Sequence, residues 1–118
     1  MAGIYIHIPF CKKRCIYCDF YSSTHQEYIP QLIDAIIKEL KGRKNYLQNE
    51  MVKTIYFGGG TPSLLTENEL GKILAAIFES YSVEETAEIT LEANPDDLIS
   101  SEYLSSLRKL KINRLSIG

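Results

Sequence analysis

Strand-like and helix-like hydrophobic patterns alternate along the whole chain, and this alternation most narrowly limits what it can fold into. Residues 3–8 (Gly-Ile-Tyr-Ile-His-Ile) alternate with period two and read as a strand. Thr24 with Glu27 three residues later is a capping-box signature. Behind it, Ile29, Leu32, Ile33, Ile36, Ile37 and Leu40 form one apolar stripe at helical spacing. Residues 52–57 give a second strand, ended by Gly58-Gly59-Gly60. Thr66 and Glu69 repeat the capping box, and Leu70, Ile73, Leu74, Ile77 and Phe78 mark a second helix. Residues 88–93 are a third strand closed by Asn94-Pro95, and Leu104, Leu107 and Leu110 mark a third helix. Residues 113–118 begin a fourth strand. The order βαβαβαβ predicts an α/β fold with a parallel sheet and right-handed crossovers.

The strands are greasy on one side only. Ile4, Ile6 and Ile8 point one way and Tyr5 and His7 the other. Ile89 and Leu91 oppose Thr90, Glu92 and Asn94, and Leu115 and Ile117 oppose Arg114 and Ser116. A doubly wound sheet, covered by helices on both faces, is apolar throughout. One polar face instead predicts a partly open, TIM-like barrel with helices outside and a ligand within.

Composition sets the remaining bounds. The 118 residues suffice for one compact domain, and 45% hydrophobic residues with 24% charged ones are ordinary globular usage. A net charge of -2 offers no electrostatic footprint for nucleic acid and no basic face for an anionic membrane. No apolar run approaches the ~20 residues of a bilayer span. The start does not read as a signal peptide, so the expected compartment is the cytoplasm. All three cysteines fall between positions 11 and 18, a tight odd cluster that reads as metal ligation and not as a disulfide framework.

Those cysteines carry the first chemical motif. Cys11, Cys15 and Cys18 follow the first strand with C-x3-C-x2-C spacing. Thiolates favour Fe–S clusters and zinc. Three of them can hold three irons of a [4Fe-4S] cluster and leave the fourth open to an exogenous amine and carboxylate. The intervening Lys12, Lys13 and Arg14 favour thiolates electrostatically, or are simply a solvated loop. The rival sites are zinc completed by His7, Asp19 or His25, and a redox dithiol at Cys15 and Cys18.

The second motif is Gly58-Gly59-Gly60-Thr61-Pro62-Ser63, at the C-terminal end of the second strand, where parallel sheets gather ligands. No Gly-Lys-Ser/Thr follows, so it is not a phosphate loop. It reads as a plain turn or, beside the cysteine loop, as a cradle for a methionine moiety. Glu92, at the end of the third strand, reads either as a solvated charge or as a partner for ribose hydroxyls or an ammonium group. His7 beside Tyr5 reads as a packed, hydrogen-bonded residue.

Taken together, residues 5–11, the three cysteines, residues 57–63, Glu92-Ala93-Asn94-Pro95 and residues 113–118 resemble the radical S-adenosylmethionine (SAM) family of oxygen-independent coproporphyrinogen III oxidases. The resemblance implies a [4Fe-4S] cluster on Cys11, Cys15 and Cys18, and SAM contacts at Tyr5, Tyr17, Gly59, Gly60, Thr61 and Glu92. It also implies reductive cleavage of SAM to methionine and a 5′-deoxyadenosyl radical. The dehydrogenases of the family carry a fourth cysteine two residues after the third, where this sequence has Phe20, and an N-terminal extension before the first strand. Both departures make the chain similar to the HemW branch, for which the implied role is binding haem and delivering it to a haem-protein acceptor. The alternative is oxidative decarboxylation of coproporphyrinogen III in porphyrin biosynthesis. An electron donor such as flavodoxin is implied, and membrane contact only through a partner. The family's barrel has about six βα units, so residues 1–118 are expected to be the N-terminal part of its core domain, a partial (β/α)6 barrel ending in strand 4. Such a piece is expected to be inactive alone, to leave Leu115 and Ile117 partly exposed, and to self-associate through its open sheet edges.

Overall fold

The computed structural model describes residues 2–9, 28–95 and 100–117. In chain order they form β1 (Ala2–Ile8), α1 (Ile29–Gly42), β2 (Val52–Gly59), a 3-10 turn (Pro62–Leu64), α2 (Glu67–Ser80), β3 (Val83–Ala93), α3 (Ser101–Lys109) and β4 (Arg114–Ile117). The sheet order is β1-β2-β3-β4, with every neighbouring pair parallel. Right-handed crossovers that always step in one direction put every helix on the same side. The opposite side is then free to be the polar interior of a barrel.

Register explains the core. Ile4, Ile55 and Ile89 share one row, and Ile6, Phe57, Leu91 and Leu115 the next. Ile8, Ile55, Phe57 and Leu91 are fully buried against Leu70, Ile73, Leu74 and Ile77 of α2 and Ile29 and Ile33 of α1. Each such side chain contributes roughly 1.5–3 kcal/mol by leaving water. At the edge of the sheet Leu115 and Ile117 are 36% and 59% exposed, as their position on β4 predicts.

Local signals account for most element ends. Thr66 Oγ1 accepts from the Glu69 N–H at 3.2 Å while Glu69 Oε1 accepts from the Thr66 N–H at 2.8 Å, completing the expected capping box of α2. Thr66→Ala is therefore expected to lower stability by about 1 kcal/mol, read as a shift in the urea midpoint at constant slope. Ser100 caps α3 through the Tyr103 N–H at 3.3 Å. Helix α1 begins without a side-chain cap on Tyr28, and Pro30 occupies its first turn. The Thr24–Glu27 signature lies outside the described residues.

Several expectations are corrected. Strand β2 runs on through Gly58 and Gly59, because these pair with His7 and Ile8 of β1. Strand β3 starts at Val83, five residues early, because Val83 pairs with Val52 before an irregularity restores the main register at Glu88. Asn113 precedes β4. Its amide side chain extends the pairing by accepting from the Ile89 N–H and donating to the Ala87 carbonyl, both at 2.9 Å. Phe78 and Leu104 lie on the rims of their stripes and are 41% and 39% exposed. Phe78 instead has the Lys111 ammonium 5.9 Å from its ring centre.

Candidate functional site

The polar face of the sheet carries two ordered rows. Tyr5, Tyr56, Thr90 and Arg114 are in register across the four strands. One step nearer the C-terminal edge, His7 pairs with Gly58 and Glu92 pairs with Ser116. Tyr5 and Tyr56 stack with ring centres 5.8 Å apart and planes 16° apart. The Tyr5 hydroxyl lies 3.3 Å from His7 Nδ1, which makes His7 a hydrogen-bonded member of this face.

Glu92 is the hub of the edge. Its Oε2 accepts from the Tyr56 hydroxyl at 2.6 Å, and its Oε1 accepts from the Gly59 N–H at 3.0 Å. The bond to Glu92 pushes the Tyr56 phenol above its ordinary pKa, burial adds to this, and the Ser116 side chain pulls in the opposite sense. Among the described residues, two of the roughly four acceptor positions of the Glu92 carboxylate are thus filled, which leaves two that a ligand could use. Beside Glu92, a cleft of about 260 Å³ is lined by Gly60, Thr61, Glu92, Ala93, Asn94 and Ser116. Its donor set of carboxylate, hydroxyls and backbone suits a ligand with ammonium and hydroxyl groups. A larger groove of about 930 Å³ lies among α2, β3, α3 and β4 and contains none of the candidate residues.

The glycines of the loop have separate reasons. Gly59 has φ +111°, and a Cβ there would lie 2.6 Å from the Ile8 carbonyl oxygen. A Cβ on Gly58 would lie 2.8 Å from the Tyr5 hydroxyl and 2.9 Å from the Tyr56 ring. Gly60 donates to the Ile8 carbonyl at 2.7 Å, which ties the loop to the end of β1. The chain therefore leaves β1 for the cysteine segment at the same edge that holds Glu92.

Of the expected SAM contacts, Gly60, Thr61 and Glu92 line one cleft, Gly59 touches Glu92, and Tyr5 lies one row back. Tyr17, Cys11, Cys15 and Cys18 lie outside the described residues, as do Asp19, Phe20 and His25. Sequence reasoning missed Tyr56 as a member of this edge; it named Ser63 in the loop motif and Ser116 on the polar face but gave neither a contact there. With Ile55 and Phe57 on the apolar face, period-two alternation along β2 puts Tyr56 between them on the polar face.

With this geometry in hand, comparison with known proteins decides the family. The sequence profile of the Radical SAM superfamily matches residues 5–118. The chain belongs to that superfamily. This radical SAM chain is 41% identical over 118 residues to the protein named heme chaperone HemW of Buchnera aphidicola subsp. Schizaphis graminum, covering 98% of this chain and 31% of that protein. Its identity to the Lactococcus lactis heme chaperone HemW is 43% over 114 residues, covering 97% and 29%. The solved structure of Escherichia coli coproporphyrinogen III oxidase (HemN), described as a radical SAM enzyme, superimposes with a TM-score of 0.88 at 32% identity. That match covers 98% of this chain and 27% of the other. The radical SAM chain thus spans under a third of the length of these relatives, and its four parallel strands match the N-terminal part of the HemN barrel. Among the described residues, no helix is long and apolar enough to cross a membrane.

Proposed function

We propose that this chain is the N-terminal, cluster- and SAM-binding part of the core domain of a HemW-like haem chaperone. The observation that carries the reading is the polar edge itself. A carboxylate held by Tyr56 and Gly59 faces a cleft beside the point where β1 hands over to the cysteine segment. In this reading Cys11, Cys15 and Cys18 each ligate one iron of a [4Fe-4S] cluster. Glu92 accepts hydrogen bonds from ammonium or ribose hydroxyl groups of SAM, while Gly60 and Thr61 form the wall and Tyr5 and Tyr17 complete the contacts. The chemistry that a bound cluster and SAM supply is one-electron reductive cleavage of a sulfonium C–S bond.

Haem binding, and delivery to an acceptor, come to the longer protein from the names of its relatives; an electron donor and a cytoplasmic setting belong to the same proposal. The likeness to HemN keeps a second reading, decarboxylation of coproporphyrinogen III. Phe20 in place of the fourth cysteine argues against it, and formation of protoporphyrinogen by the longer protein would establish it. The first test is metal analysis after anaerobic purification. About four irons per chain, with matching sulfide, are expected; one zinc and no iron would overturn the cluster assignment.

A further inference from the structure

Glu92 and the glycine loop account for the cleft, but the strongest polar contact at this edge belongs to a residue that lines no wall of it. The Tyr56 hydroxyl donates to Glu92 Oε2 at 2.6 Å, a distance typical of a charge-assisted O–H···O⁻ bond. The other carboxylate oxygen is held by the Gly59 N–H. With both oxygens anchored, the carboxylate plane has one orientation and its remaining lone pairs point in set directions. Tyr56 is itself held in place. Its ring stacks on Tyr5, and a side chain on Gly58 would collide with both tyrosines, so the small residue there lets the stack form. Ser116 of β4 stands opposite Glu92 in register. Residues from all four strands therefore meet around one carboxylate.

We propose that Tyr56 is a positioning residue that pre-orients Glu92 for the ammonium or hydroxyl groups of SAM. The inference rests on the reading of Glu92 as a SAM contact and adds to it the group that sets its geometry. A carboxylate free to rotate would have to be ordered when the ligand arrives, whereas an anchored one is ready beforehand. Tyr56 touches neither the ligand nor reacting atoms in this scheme, and its effect passes wholly through Glu92.

A double-mutant cycle tests it, using SAM affinity measured by calorimetry on the anaerobically reconstituted protein. Tyr56→Phe removes only the hydroxyl and keeps the ring that stacks on Tyr5. It is expected to weaken SAM binding about tenfold, the value of one hydrogen bond to a charged group. In a Glu92→Gln background the same change is expected to have almost no further effect, because the group it orients is gone. A merely structural tyrosine would lower the melting temperature and weaken binding by the same factor in both backgrounds, and that additive result overturns the proposal. Unchanged affinity in Tyr56→Phe, with a loss in Glu92→Gln, also overturns it and leaves the SAM site standing. Unchanged affinity in Glu92→Gln removes the SAM reading of this carboxylate, and the positioning role falls with it.

Discussion

Replacing any one of Cys11, Cys15 and Cys18 by alanine is expected to abolish the broad visible absorption of the anaerobically reconstituted protein. The sequence contains three cysteines and no fourth, so no spare thiolate can take the place of a lost one. A cluster with one open iron needs all three. Removing a ligand exposes a second iron to solvent and oxygen, and iron and sulfide should fall together to background. Far-ultraviolet circular dichroism on the same samples separates ligand loss from unfolding. Full iron and sulfide in any one variant would falsify the ligand assignment. A site that instead keeps one zinc after each substitution would point to His7, Asp19 or His25 as the completing ligand.

The second large effect is expected at Gly59. Its φ of +111° is a conformation that side chains rarely adopt, and the added Cβ would press on the Ile8 carbonyl at 2.6 Å and the His7 ring at 2.9 Å. Gly59→Ala should cost about 2–3 kcal/mol, equivalent to a fall of roughly 10 °C or more in melting temperature. The same strain moves the N–H that holds Glu92, so SAM affinity should fall in the protein that remains folded. Gly42 is the internal control, because nothing lies within 4 Å of a Cβ built there. Gly42→Ala, at the end of α1, should leave stability unchanged or slightly higher. Equal stability of the two variants would mean that the β2 loop relaxes around a side chain, and that its glycine is a convenience of the turn.

How much of this was legible beforehand depends on whether the signal was local. The capping box at Thr66 and Glu69 and the alternation in β1 each involve residues a few positions apart, and each appears where expected, whereas in β3 Thr90, read onto the polar face, is buried. The one-sided polarity of the strands pointed to a barrel, and the sheet order agrees. Register across strands is a different matter. Val83 joins β3 only because Val52 lies opposite, and Asn113 completes that strand with an amide side chain. No window of sequence contains both partners. The site divides in the same way. Gly59, Gly60, Thr61 and Glu92 stood out because glycine runs and strand-end carboxylates are conspicuous, whereas Tyr56 matters through a partner 36 residues away. Phe78 and Leu104 show the reverse error: helical spacing placed them in the stripe, but spacing alone does not say how wide the buried stripe is.

Ser63 joins elements that the chain order keeps apart. Its hydroxyl accepts from the Asn94 N–H at 3.2 Å, and its carbonyl accepts from the Tyr103 hydroxyl at 3.1 Å, which also reaches the Leu65 carbonyl at 3.0 Å. The loop after β2, the loop after β3 and helix α3 are thereby stitched into one mechanical body. A ligand that orders Thr61 is therefore expected to order Asn94 as well, so that the two walls are ordered in one event and not two. Loss of the Tyr103 hydroxyl, carried by a half-buried side chain packed against the core, is then expected to loosen both walls of the cleft together.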